Sequence, residues 1–107
     1  MRALMSTEPG PPETLRLLEV NAPLPEAGEA LVRVEACGLN YPDVLMVDDR
    51  YQFRFERPFS PGIEIAGTVE RVGDGVAAAL VGARVVGQID HGGLAELAIA
   101  RADRLHR

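Results

Sequence analysis

A mainly β fold is expected: a partly open barrel of short strands with Greek-key-like connections and one or two short helices. Three observations lead there. Apolar and polar residues alternate with a period of two at several points along the 107 residues. Eleven glycines and eight prolines are scattered between those runs, as strand-and-turn punctuation requires and as a helical bundle or a disordered tail would not. Hydrophobic residues make up 47%, enough for one core at this length, so one domain is expected and not two.

Taken in order, Arg2–Ser6 reads as a short strand running into Glu8-Pro9-Gly10-Pro11-Pro12, a turn by its prolines alone. Thr14–Val20 reads as the returning strand, and Pro23, Pro25 and Ala27-Gly28-Glu29 interrupt it. Ala30–Cys37 is the clearest strand: Val32, Val34 and Ala36 point one way, Arg33 and Glu35 the other. Gly38 ends it. Asn40-Tyr41-Pro42-Asp43 then opens a short helix reaching Val47, with a cap at Asn40 or Tyr41, proline in the first turn and Asp43 at the positive end of the dipole. Asp48–Pro61 has no period yet holds four of the five aromatic residues, Tyr51, Phe53, Phe55 and Phe59. An irregular segment so rich in rings must tuck them under itself or around a ligand. Ile63–Val72 is a strand with Gly67 as a bulge or close-approach point, and Gly73-Asp74-Gly75 a turn. Ala83–Ile89 and Leu94–Ala100 read as two strands joined by a hairpin turn at His91-Gly92-Gly93.

Charge narrows the function. A net −5, from 16 acidic and 11 basic side chains, repels phosphate backbones and anionic lipid, so neither nucleic acid nor a membrane surface is an expected partner. Arg50, Arg54 and Arg57, and again Arg101, Arg104 and Arg107, read as solvated surface. A single cysteine, Cys37, allows no internal disulfide and suits a reducing compartment, and the start of the chain has no apolar signal region; a cytoplasmic protein is expected. The longest apolar stretch, Val76–Ala83, is too short to cross a bilayer.

Gly73-Asp-Gly-Val-Ala-Ala has the form of a dinucleotide-binding fingerprint and fails its context. Six residues between Gly75 and Gly82 leave no room for a crossover helix. Nor does a strand ending in a ribose-binding acid follow about 20 residues on. A turn needing positive φ accounts for the same glycines.

Three stretches in register carry a family resemblance: Ala36-Cys-Gly-Leu-Asn-Tyr-Pro-Asp-Val-Leu45, Pro58-Phe-Ser-Pro-Gly-Ile-Glu-Ile-Ala-Gly-Thr-Val-Glu-Arg-Val-Gly-Asp-Gly-Val76, and Val81-Gly-Ala-Arg-Val-Val86 followed by Gly92-Gly-Leu-Ala-Glu96. Together they resemble the amino-terminal, GroES-like domain of medium-chain dehydrogenases/reductases, over nearly the whole chain. Zinc-dependent members place a cysteine ligand where Asn40 stands and a histidine ligand where Ile63 stands, and neither replacement suits zinc. Cys37, three residues early, reads as a small packed residue. The Asn replacement is similar to the zinc-independent quinone oxidoreductase branch, written Gly-Leu-Asn-Tyr-x-Asp. Leu94 and Ala83 depart from it, where relatives often carry Tyr and Asp.

The resemblance implies hydride transfer from NADPH to a quinone or activated carbonyl compound, with NADPH held mainly by a Rossmann domain absent from this chain. It implies that residues 1–107 form one GroES-like domain walling the substrate cleft, inactive alone, and that the full-length enzyme is a homodimer. Asn40 is expected in that cleft as well as at the helix cap, and Tyr51 on the pocket wall. Tyr41 reads equally as pocket wall or core aromatic. No side chain is expected to act as acid, base or nucleophile, and no metal is expected. Asp43 is assigned to the helix terminus and Glu64 to a structural hydrogen bond. Asp48 and Asp49 diverge as neighbours must, and His91 and His106 are expected at the surface. The rival reading is a stand-alone GroES-like binding or assembly module without catalysis.

Overall fold

The computed structural model describes all 107 residues. Strands β1 (Arg2–Met5) and β2 (Arg16–Glu19) pair antiparallel as a ribbon. A five-stranded sheet holds β3 (Glu29–Gly38), β4 (Glu64–Val72), β5 (Arg84–Gln88), β6 (Leu97–Arg101) and β7 (Leu105–His106) in the order β6-β3-β4-β5-β7. Isolated bridges Ala3–Ala95 and Ser6–Phe59 tie the ribbon to the rest, so the barrel is partly open, as expected. The single α-helix, α1, is Tyr41–Val47; three further helical turns are 3-10.

Inward residues of four strands, with Ile89 just beyond β5, make the core: Ala30, Val32, Ile65, Val69, Val85, Ile89, Ala98 and Ala100. Small residues on β6 and branched ones on β3 and β4 pack against one another across the curled sheet. At Gly67 a Cβ would run into the Arg33 carbonyl, so the two central strands approach there only because no side chain intervenes.

The register of β3 and the path of the chain after β5 both differ from expectation. Val34 faces Gly67 and Ala36 faces Ala66, so Glu35 is an extra residue, a β-bulge. The bulge flips the pattern beyond it: Ala36 is exposed and Cys37 packs against the core, not the reverse. The second concerns His91-Gly92-Gly93, which is not a hairpin turn. β5 pairs with β4 and β7, whereas β6 lies across the sheet against β3. The chain between them crosses over, because its amides bond elsewhere: Gly92 N–H to Ser60 O (2.7 Å), Gly93 N–H to Gly62 O and Leu94 N–H to Pro61 O (both 3.0 Å). Leu94 O in turn accepts from Leu4 N–H at 2.8 Å.

The irregular segment 48–61 is held by Arg57, which is not solvated as expected: its side chain is only 17% exposed. It donates to Asp49 Oδ1 (2.8 Å), Ser6 Oγ (3.0 Å) and Val47 O (2.9 Å), joining the end of α1 to the end of β1. Asp48 turns instead to Arg50 at 2.8 Å, so the adjacent carboxylates diverge. The arginines 101, 104 and 107 are exposed.

Candidate functional site

The expected site begins at the amino end of α1. Asn40 precedes the helix with extended backbone (φ −132°, ψ 157°). Asp43, 6% exposed, reaches back in a capping box: one carboxylate oxygen accepts from Asn40 N–H at 2.9 Å. Its other oxygen accepts from Gly62 N–H at 3.0 Å. Asp43 therefore serves the helix terminus, as its position in the sequence implied, and also fastens the helix to the approach of β4.

The amide nitrogen of Asn40 points toward β4. This Nδ2 donates to Glu64 Oε2 (3.2 Å) and Gly38 O (3.4 Å). Glu64 thus has the hydrogen-bonding role expected of it. Gly38 makes room: a Cβ there would lie 2.7 Å from Glu64 Oε2. This corner borders an open cavity of about 660 Å³ whose lining includes Gly38, Glu64, Gln88, Arg104 and His106.

Tyr51 lines a second cavity, of about 740 Å³, together with Phe53, Phe55, Arg54, Gln88 and Arg104. Its ring meets Phe53 edge-on at 5.8 Å. Gln88 and Arg104 line both cavities, so the Glu64 corner and the Tyr51 wall adjoin. Tyr41 belongs to neither; it is 72% exposed and is not a core aromatic. Of the three residues singled out, then, Tyr51 lines a cavity, Asn40 touches one only through its hydrogen bond to Glu64, and Tyr41 faces outward.

Electrostatics distinguish two groups. Burial pushes the Cys37 thiol up, and the carboxylates of Asp43 and Glu64 add to it, while a hydrogen bond from the Glu64 backbone opposes. Burial lowers His91, partly offset by Asp90. His91 is exposed at its edge, as expected, but its ring faces are covered by Phe55 (4.4 Å between centroids) and Phe59 (5.9 Å).

No three His, Cys, Asp or Glu side chains converge as a metal would need. The glycines at 73 and 75 form a turn before a three-residue 3-10 helix, with Gly73 pressed on the Glu26 carbonyl and no cradle for a diphosphate. What sequence reasoning missed is that Glu64 lies on a cavity lining and that Arg57 is largely covered. The Gly38–Asn40–Glu64 grouping joins residues 24 positions apart, for which only the strand pairing Gly38–Glu64 supplies a reason.

Comparison with known proteins agrees with this architecture. The alcohol dehydrogenase GroES-like domain matches residues 26–107, and the chain belongs to that family. Within it, the chain is similar to the quinone oxidoreductase of Lama guanicoe, 39% identical over 102 residues that cover 94% of this chain and 31% of that protein. A mycobacterial protein solved in complex with NADPH superposes with a TM-score of 0.91 at 40% identity, over all of this chain and 33% of the other. Human synaptic vesicle membrane protein VAT-1 homolog-like protein superposes with a TM-score of 0.93 at 32% identity, over 100% and 35%. The chain thus spans about a third of the length of these relatives.

Proposed function

We propose that this chain is the substrate-side domain of an NADPH-dependent, quinone oxidoreductase-like enzyme that transfers hydride to a quinone or an activated carbonyl compound. The observation that carries the reading is the match to quinone oxidoreductases over 94% of this chain but only 31% of their length. One domain of such an enzyme is accounted for, and a partner domain binds most of the cofactor. When bound, NADPH supplies the hydride, so the protein has to bind, orient and exclude water rather than move protons. The depression spanning the two cavities suits that role. It has aromatic walls at Tyr51, Phe53 and Phe55 and the Glu64 carboxylate, to which Asn40, itself outside the lining, donates. Its aromatic walls fit the ring end of the cofactor.

The reaction in this reading is zinc-independent, because Asn40 and Ile63 supply neither thiolate nor imidazole. The protein is assigned to the cytoplasm on its single cysteine, and no helix is long and apolar enough to cross a membrane. The full-length enzyme is taken as a homodimer.

The test is turnover. Purified 107-residue protein given NADPH and a quinone should oxidise no cofactor. Joined to the cofactor domain of a quinone oxidoreductase, it should. Quinone-dependent oxidation by the chain alone would refute the division of labour. A joined protein that binds NADPH yet reduces neither quinones nor enones would refute the reaction.

A further inference from the structure

We infer that the ligand-contacting group at the Gly38 corner is the Glu64 carboxylate, with Asn40 as its positioning residue, and that this corner favours a cationic N-heteroaromatic ring bearing an amide over its neutral counterpart. The inference rests on the proposed function, in which this domain walls a nicotinamide cleft.

The geometry of donors decides between the two side chains. A primary amide has two N–H donors. Asn40 spends them on Glu64 Oε2 at 3.2 Å and Gly38 O at 3.4 Å, leaving no N–H for the carbonyl of a bound molecule. Both partners can only accept, so the amide orientation is fixed: reversing it would set oxygen against oxygen. The oxygen of Asn40 faces the capping box with Asp43. Glu64, by contrast, has only Oε2 engaged; it lines the cavity, while Asn40 does not. An ionised carboxylate has about four acceptor sites, so capacity remains for an N–H or a positive charge.

Two further features support the assignment. Gly38 is a notch shaped for Glu64: any Cβ there would press on Oε2 and displace the carboxylate. Asp43 and Glu64 both act on the thiol of Cys37, so two carboxylates lie close together at this corner, with Arg104 as the cation on the same cavity lining. A carboxylate beside a nicotinamide ring favours the positively charged ring that remains after hydride leaves over the neutral ring that precedes it. Glu64 would then assist hydride donation through charge alone, with no proton moved.

The experiment is an NMR titration of the ¹⁵N-labelled chain with 1-methylnicotinamide, a cation, and with nicotinamide, its neutral counterpart, at equal ionic strength. Both probes should perturb the signals of Gly38, Glu64 and the Asn40 side-chain amide, with the cation bound about threefold more tightly, the scale of a partly exposed ion pair. Glu64→Gln should abolish the charge preference and retain the dispersed native spectrum. Asn40→Ala and Gly38→Ala should reduce it, which a purely structural role for either residue would not do. Equal binding of the two probes, a preference that survives Glu64→Gln, or no perturbation at this corner would each overturn the inference. Failure of hydride transfer in the joined protein would instead strike the proposed function on which it rests, so the two failures are separable.

Discussion

Replacing Asp43 by asparagine changes one atom's chemistry and almost none of its shape. In the native chain its two carboxylate oxygens accept from two different backbone amides, Asn40 N–H at 2.9 Å and Gly62 N–H at 3.0 Å, at a position only 6% exposed. The amide of asparagine has one acceptor oxygen, so whichever way it turns, one of those N–H groups meets another N–H. The loss combines one charge-assisted hydrogen bond with a buried donor left unpaired, together about 3 kcal/mol. Unfolding entropy is about 2.1 cal/mol/K per residue near the melting temperature. Over 107 residues that converts the loss to a fall in Tm of roughly 13 °C. Thermal melts followed by far-UV circular dichroism measure it, and Asp43→Ala should fall by a similar amount. If both variants melt within about 3 °C of the native chain, the carboxylate does not join α1 to the Gly62 turn as described.

Three further outcomes follow from the same structure. Gly67→Val should prevent native folding, seen as lost chemical-shift dispersion, because its Cβ would meet the Arg33 carbonyl; a native-like spectrum would show that β3 and β4 can separate there. His91 titrates below its ordinary 6.5 in the folded chain because burial disfavours its charged form. The unfolded chain therefore binds the extra proton more readily, and stability should be fully present above pH 6.5 and decline as pH falls through the folded value. His91→Phe should flatten that decline in urea midpoints, and an unchanged slope would contradict the assignment. Cys37, raised by burial and then by Asp43 and Glu64, should alkylate with iodoacetamide more slowly than a free thiol at the same pH, and Glu64→Gln should speed it.

The residues that announced themselves in the sequence did so through local chemistry. Alternation fixed the first half of β3, the Asn-x-Pro-Asp run opened α1, and Gly67 marked a close approach, all within a few residues of the features they govern. Partner choice was another matter. The sequence of a turn says that the chain bends, not which strand it bends toward, so His91-Gly92-Gly93 suggested a hairpin where a crossover exists. Glu35 gives no sign of being a bulge; its misfit arises from the register against β4. Arg57 lay among charges that suggested solvent, and only the meeting of α1 with β1 buries it. Asn40 and Tyr51 were proposed for the cleft through the family resemblance, whereas the hydrogen-bond partner of Asn40 was not legible, because Glu64 reaches it through strand pairing.

The crossover from β5 to β6 also bears on how the domain is made. Residues 92–96 bond simultaneously to Ser60, Pro61 and Gly62 on one side and to Arg2 and Leu4 on the other. They are the seam that stitches the first strand to the middle of the molecule, and they come late in the stretch. A chain emerging from the ribosome would carry β1 and the Ser60–Gly62 segment for some time with their hydrogen-bonding edges open, waiting for the glycines at 92 and 93. Closure spanning more than 90 positions, as between Arg2 and Glu96, is the kind of non-local pairing that slows folding.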